Sequence, residues 1–147
     1  GTASTSSICS RQPSVSHWGS SDGRALQLLL WDWRHPDQKL SNRSFFGRPQ
    51  PAQDTGGARV ELQGLPPGRY RLQLQRTGYE RNDAHTAYLK MGSPAQLDDA
   101  QLHALQRLTE DRPELDRRVS VGRNGRLGLS LALRSHDVLL LRLTPLD

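Results

Sequence analysis

The sequence predicts an all-β protein, an antiparallel β-sandwich of the immunoglobulin or fibronectin type with one short helix. Three observations lead to this fold. Apolar and polar residues alternate with a period of two in several short segments, as in strands that bury one face. Turn residues separate these segments at short spacing. Only residues 98–108 carry the capping pattern and spacing of a helix.

The size and composition favour one small domain. The chain has 147 residues, and we place a single sandwich domain at residues 13–147. Residues 1–12 are small and polar, so we expect a flexible linker or an expression remnant there. The hydrophobic fraction is only 34%, which fits thin inner faces and long polar loops. No apolar run approaches the roughly 20 residues that span a membrane, so we expect no membrane partner.

The first strands are short. Residues 15–18 form one. Residues 25–33 give the strongest strand signal, and their continuously apolar middle indicates burial on both faces in the middle of a sheet. Later strands are expected at residues 58–62, 69–77, 117–121, 126–133 and 138–143. The turn residues at 65–68 and the pair Asn124-Gly125 predict two hairpins. Pro145 is expected to stop the last strand.

The helix is predicted from its N-terminus. Asp98 suits the N-cap and Gln101 the third helical position, which together make a capping box. Leu102, Leu105 and Leu108 then share one face. Capping and the helix dipole give Asp98 and Asp99 a structural explanation, which we prefer to catalysis.

The net charge is +5, and 18 of the 20 basic residues are arginines. Such a balance is compatible with a polyanionic partner. The arginines are scattered, however, and form no stripe, which favours an arginine-rich bacterial composition instead. We therefore expect no nucleic-acid partner.

Cofactor and metal sites are not indicated. The five histidines are far apart in sequence, and the lone Cys9 excludes cysteine-based zinc patterns. No glycine-rich phosphate-binding pattern is present. We expect neither a metal nor a cofactor.

The segment after the strand at 69–77 is the best candidate for binding. Its candidate site residues, at a substrate rim or an interface, are Tyr79, Asn82, Asp83, His85 and Tyr88. A polar loop that follows a regular strand is where binding residues often lie. The alternative is that these residues hold the shape of the loop, with Asn82 or Asp83 in an Asx turn and Tyr88 buried.

Aromatic residues supply two further candidates. Trp31 and Trp33 lie two residues apart on one side of a strand. Trp33 is a candidate for stacking on a sugar ring, but a core tryptophan beside a rim tryptophan explains the pair more simply. Phe45 and Phe46 lie in the long stretch at 34–57. They are candidate anchors that dock this stretch on its own sandwich or on a partner domain.

The central segment also carries a family resemblance. Residues 76–105, RTGYERNDAHTAYLKMGSPAQLDDAQLHAL, run from a strand into a loop rich in Asn, Asp and His, an aromatic residue, a Met-Gly-x-Pro turn and a helix. This order resembles the C-terminal β-sandwich of glycoside hydrolase family 39, the β-xylosidase and α-L-iduronidase family. A weaker similarity extends over residues 26–146.

The resemblance implies a non-catalytic accessory domain of a bacterial, retaining glycosidase that takes part in polysaccharide degradation. In that family both catalytic glutamates lie on a separate (β/α)8 barrel upstream. The domain would pack on that barrel, and its central loop would shape the active-site rim. We therefore expect carbohydrate as a further partner, and a periplasmic or secreted location with the cytoplasm as the alternative.

Catalysis by this chain alone is not expected. A glycosidase needs two carboxyl groups about 5–9.5 Å apart, and nothing in the sequence fixes Glu80, Asp83 or Asp32 at such a spacing. Two other functions remain open. One is an autonomous carbohydrate-binding module that uses Trp33, Tyr79 and Tyr88, and the other is a basic sandwich that binds nucleic acid or mediates adhesion.

Overall fold

The computed structural model describes residues 15–22, 25–33 and 47–146, and the backbone alone of residues 5–10. These residues form eight strands: β1 (Thr5–Ser10), β2 (Val15–Ser21), β3 (Leu26–Asp32), β4 (Ala58–Gln63), β5 (Gly68–Thr77), β6 (Pro113–Val121), β7 (Leu127–Leu131) and β8 (Val138–Leu146). Two helices, α1 (Ala84–Lys90) and α2 (Asp99–Arg107), lie between β5 and β6.

The strands form two sheets in which every pairing is antiparallel. One sheet has the order β1-β4-β7, and the other has the order β2-β3-β8-β5-β6. The predicted all-β antiparallel sandwich is therefore confirmed. The described residues contain one helix more than the sequence predicted.

The core lies between the two sheets and is rich in leucine. Leu28 and Leu30 of β3 are fully buried, as are Val60 and Leu62 of β4 on the facing sheet. Every second side chain points inward along β3, β4 and β5, and for β4 and β5 the period-two pattern predicted this. Each such side chain stabilises the fold by roughly 1.5–3 kcal/mol through burial.

The outward side chains of β3 differ from the prediction. Leu29 and Trp31 are half-buried on the outer face of the sheet, and Trp33 is 55% exposed. The two tryptophans do lie on the same side, but neither is in the core. The apolar run therefore belongs to a strand with large side chains on both faces. Only the inward face is fully buried.

Both predicted hairpins are wrong. The strands on either side of residues 65–68, β4 and β5, belong to different sheets, and so do β6 and β7 on either side of Asn124-Gly125. Each turn therefore crosses from one sheet to the other. The two crossings are joined by a backbone hydrogen bond from Leu65 N to Gly125 O, at 3.1 Å. Leu65 is buried there and closes this end of the core.

The two ends of the chain also differ from the prediction. The backbone of residues 5–10, which composition assigned to a linker, pairs with β4 as β1. Such pairing uses main-chain groups and needs no apolar sequence. At the other end β8 continues through Pro145 to Leu146. Its register with β3 ends at Leu143, so Pro145 faces a strand on one side only, where a missing N–H is tolerated.

The long stretch after β3 is described from Gly47 onward. Its last part docks on the segment that precedes β8, since Thr55 N and Oγ1 both donate to Leu133 O, at 3.2 and 2.6 Å. Ser135 N donates to Gln53 O at 2.8 Å. Phe45 and Phe46, the predicted anchors, lie outside the described residues.

The two helices have different origins. The predicted helix is α2, and its capping box is present: Asp98 accepts from Gln101 N, and the Gln101 side chain accepts from Asp98 N. No residue of α2 is buried. Helix α1 lies within the segment predicted as a loop, where Asp83 is its N-cap and accepts from Thr86 N. Neither helix has the length and hydrophobicity that crossing a bilayer requires.

Candidate functional site

An open groove of about 350 Å³ lies at one end of the five-stranded sheet. It is formed where β3 and β5 end, where β8 begins and where α1 starts. Its lining residues are Trp33, Arg48, Gln50, Thr77, Gly78, Tyr79, Asn82, Asp83, Ala84, His85, Thr86 and His136. The groove thus brings together five of the residues singled out in the sequence: Trp33, Tyr79, Asn82, Asp83 and His85.

Trp33 forms one wall of the groove together with His136. The two rings meet edge to face, with centroids 5.6 Å apart and planes at 88°. His136 has a positive φ of 62°, and its N–H donates to Asp32 O at 2.7 Å. The backbone of the turn before β8 is therefore tied to the end of β3, which fixes both rings. His136 was not among the candidate site residues named from the sequence.

Tyr79 also lines the groove and is half-buried. The Lys90 ammonium lies 5.7 Å from the centroid of its ring, within cation–π range, and also pairs with Glu80. The hydrogen bond from Lys90 lowers the pKa of the Glu80 carboxyl below its ordinary value. Glu80 is thus engaged as an ion-pair partner.

Asn82 and Asp83 line the groove, but their polar atoms hold the segment together. The Asn82 amide donates to Arg76 O at 2.8 Å and to Arg112 O at 3.2 Å. Asp83 accepts from Thr86 N at 2.9 Å and from Glu80 N at 3.1 Å. Partial burial by itself raises the pKa of Asp83, but the hydrogen bonds from Thr86 and Glu80 outweigh it and lower the pKa.

His85 and Tyr88 lie apart although both belong to α1. His85 is exposed and lines the groove. Tyr88 is half-buried outside the lining, and its hydroxyl donates to Pro94 O at 3.1 Å. That contact ties α1 to the turn that follows it. The groove therefore contains Tyr79 but not Tyr88, and the two tyrosines do not form one binding surface there.

A buried ionic cluster supports the groove from below. Asp137 is fully buried, and its carboxylate pairs with Arg76 and Arg134. Arg134 binds both carboxylate oxygens at 3.0 Å, and Arg76 also binds Glu114 at 2.8 and 2.9 Å. Arg134 Nη2 donates in addition to Tyr79 O at 3.0 Å, so the cluster fixes the wall that carries Tyr79.

Gly78 is the point where the groove floor meets this cluster. A Cβ at position 78 would lie 2.1 Å from Asp137 Oδ1, so no side chain fits there. The sequence did not reveal this cluster, because its members come from distant segments. One signal was available: Arg76 occupies an inward position of β5, in phase with the buried Leu72 and Leu74.

The side chains that line the groove are better suited to binding a ligand than to breaking a bond in it. The exposed ring of Trp33 and the half-buried ring of Tyr79 line the groove together with His85, Arg48 and Gln50, groups that can hydrogen-bond a polar ligand. The carboxylates near the groove cap a helix or pair with cations, as described for Asp83, Glu80 and Asp137. Within the part of the chain that the structure describes, no three His, Cys, Asp or Glu side chains are placed to hold a metal ion.

Comparison with solved structures shows which protein family this domain resembles. The crystal structure of a family 39 glycoside hydrolase from Xanthomonas axonopodis pv. citri matches 88% of this chain at 41% identity and a TM-score of 0.82. A monomeric β-xylosidase from Caulobacter crescentus CB15 matches 89% of it at 42% identity and a TM-score of 0.78. The chain matches one domain of glycoside hydrolase family 39. The resemblance predicted from residues 76–105 is thereby confirmed.

The match covers only part of these enzymes. The chain spans 26% of each of the two, which is consistent with a C-terminal domain of a family 39 protein. A bacterial orthologue of human α-L-iduronidase shares the fold alone, at 17% identity and a TM-score of 0.65. No protein-family model matches the sequence, and no curated protein matches it.

Proposed function

We propose that this chain is the non-catalytic accessory domain of a bacterial family 39 glycoside hydrolase. It packs on a (β/α)8 catalytic barrel of the same polypeptide and contributes its groove to the rim of the active site. The parent enzyme is a retaining glycosidase that acts in polysaccharide degradation, in the periplasm or outside the cell.

One observation carries this proposal. Nearly nine-tenths of the chain matches about a quarter of two family 39 enzymes, at 41% and 42% identity. A domain that recurs at this identity inside a longer enzyme is expected to keep its place beside the rest of that enzyme. One of the two enzymes is described as monomeric, which favours a partner in the same polypeptide over a second copy.

The groove supports a place at the rim. The Asp137 cluster holds Tyr79 through Arg134, and the cap of α1 holds His85. The backbone contact from His136 to Asp32 holds the end of β3 beside Trp33. A rigid support is what a positioning surface needs if it is to orient a substrate for another domain. The carboxylates near the groove already hold the domain together, which supports a binding contribution rather than catalysis.

The proposal is tested by determining the coding sequence around this chain and expressing the complete polypeptide. We expect that polypeptide to hydrolyse an aryl β-xyloside, while the 147-residue chain alone releases no product. In the complete polypeptide, His85→Ala should raise KM for a xylo-oligosaccharide with little change in kcat. His103→Ala, on the exposed α2, is the matched control. A gene without a catalytic domain, or turnover by the isolated chain, contradicts the proposal.

A second candidate function is an autonomous carbohydrate-binding module. The exposure of Trp33 at 55%, beside Tyr79 in one groove, favours it, because aromatic rings stack on the apolar face of a sugar. Tyr88, which the sequence grouped with these two residues, lies outside the groove lining. The experiment that separates this function from the first is given in the Discussion.

A further inference from the structure

The outer face of the five-stranded sheet carries all three tryptophans of the chain. Trp18 is 63% exposed, Trp33 is 55% exposed and Trp31 is half-buried. Aliphatic side chains fill the space between them. We call this surface the tryptophan face and define it by Trp18, Leu29, Trp31, Trp33, Val138 and Leu140.

The strand register makes this surface continuous. Trp18 of β2 lies opposite Leu29 of β3, which lies opposite Leu140 of β8. In the next row Trp31 lies opposite Val138, which is 38% exposed. Side chains directly opposite each other on one face of a sheet are in contact range. The two rows therefore form one apolar patch across three strands.

Polar residues border the patch on one side. The adjoining row of the same face holds Gln27, Arg142, Gln73 and Asp116. The Gln73 amide donates to Asp116 at 3.0 Å, and Arg71 forms a two-point contact with the same carboxylate at 2.6 and 2.9 Å. An apolar centre with a hydrogen-bonded polar border is typical of protein–protein interfaces.

The other outer face of the sandwich is different. On the three-stranded sheet the outward side chains of β4 and β7 include Arg59, Glu61 and Ser130, and Arg59 pairs with Glu61 at 3.5 Å. The sandwich thus has a polar outer face and an apolar one among its described residues. Such a difference is expected when only one of the two faces is covered by a partner.

We propose that the tryptophan face is the surface by which this domain docks on the catalytic domain of its own polypeptide. The inference rests on the proposed function, which supplies the partner. The matched enzymes carry about three quarters of their length outside this domain. A protein partner fits better than a saccharide, because Leu29, Val138 and Leu140 separate the tryptophan rings where a sugar would need hydrogen-bonding groups.

Trp33 connects this surface to the groove. It follows β3 on the outward side of the sheet and also lines the groove beside His136. A domain seated on the tryptophan face therefore lies against the open side of the groove at Trp33. Docking here makes the groove part of a cleft between the two domains, which is the position that a contribution to the active-site rim requires.

The test is a hydroxyl-radical footprint of Trp18 in the 147-residue chain and in the complete polypeptide encoded by its gene. Both samples are first shown to be monomeric by sedimentation. We expect labelling of Trp18, which is 63% exposed, to fall at least severalfold in the complete polypeptide, because an exposed side chain that enters an interface loses most of its contact with solvent. Leu102 of α2, which is 42% exposed, serves as the internal control and should be labelled equally in both.

A variant pair gives a second measurement. In the complete polypeptide, Leu140→Glu should separate the domains, seen as a larger radius of gyration by small-angle scattering and faster proteolysis between them. Ser130→Glu on the polar face should change neither. The footprint of the unaltered protein remains decisive if Leu140→Glu fails to fold.

The other outcomes contradict the inference in distinguishable ways. A gene without a catalytic domain overturns the proposed function and this inference with it. A catalytic domain that leaves Trp18 fully labelled overturns the docking surface alone, and protection of Leu102 would move docking to α2. Protection of Trp18 in the isolated chain by xylo-oligosaccharide, or by raised protein concentration, would make the occupant a saccharide or a second copy.

Discussion

Asp137 accepts a hydrogen bond from Arg76 across 61 positions of the sequence, and both side chains are buried. The pair joins the end of β5 to the start of β8 directly below the groove. Burial by itself lowers the pKa of Arg76, but hydrogen bonds to Glu114 and Asp137 outweigh it and raise that pKa. Arg76 therefore stays charged, and the geometry of the groove depends on its anionic partners.

Removal of the central carboxylate should destabilise the fold strongly. Asp137→Ala leaves Arg76 buried with one anionic partner fewer and frees Arg134, and breaking a buried pair in this way costs about 3–5 kcal/mol. Asp116→Ala, which breaks an exposed pair with Arg71, is the matched control and should cost much less. Urea unfolding measures both. Equal losses in the two variants would show that the buried cluster adds no more than a surface pair.

Gly78 should not tolerate a methyl group. In Gly78→Ala the new Cβ would lie 2.1 Å from Asp137 Oδ1, so the cluster or β5 must shift, at a cost of about 1–3 kcal/mol. Gly122→Ala is the control, because its Cβ would meet only Asn124 Oδ1, at 3.6 Å. Thermal unfolding compares the two, and a neutral Gly78→Ala would contradict the packing described for the groove floor.

Asp83 should make stability depend on pH. Its pKa in the folded protein lies below the ordinary value of 3.8. Its contribution is therefore complete above that value and is lost as the pH falls through the folded pKa. Asp83→Ala should cost about 1 kcal/mol at pH 7 through loss of the N-cap of α1.

The matched variant for this prediction is Asp83→Ser, which can still cap α1 but does not titrate. Urea unfolding from pH 7 to pH 2 should show a shallower acid loss for Asp83→Ser than for the unaltered chain. The remaining slope belongs to the other carboxylates with lowered pKa values, Glu80 and Asp116. Identical slopes would mean that Asp83 adds nothing to the pH dependence.

Xylan binding by the isolated chain, and its dependence on Trp33, distinguishes the two candidate functions. Affinity electrophoresis of the isolated chain in a xylan gel should show no retardation if the domain only serves its own catalytic barrel. If it is an autonomous carbohydrate-binding module, the chain is retarded and Trp33→Ala removes the effect. Trp18→Ala, an exposed tryptophan outside the groove lining, is the control.

The local patterns of the sequence predicted most of the strands and one helix well. Period-two alternation located β4 and β5 within one residue, and a continuous apolar run located β3 equally well. Asp98 with Gln101 located the start of α2. Strand alternation and helix capping depend on residues that are close together in the sequence, so they can be predicted from it. Helix α1 was missed because it has seven residues and its cap, Asp83, also suited an Asx turn in a loop.

The site was predicted only in part, for a similar reason. Trp33, Tyr79 and His85 were identified as candidates from residue type and from their place after a strand. His136, Arg134 and Asp137 were not, because their partners lie on other strands and no spacing along the chain connects them. Arg76 could have been found, since its inward phase on β5 required a buried partner for its charge.

The sequence by itself determined which residues point inward, because alternation along a strand is a property of the backbone. It also determined the family, through the order of residues in the central segment. Only the tertiary structure decided that the chain changes sheet at residues 65–68 and at Asn124-Gly125, since a turn sequence does not state where the next strand finds its partner. That choice depends on which pairing closes the core, and it also gathers the three tryptophans on one outer face.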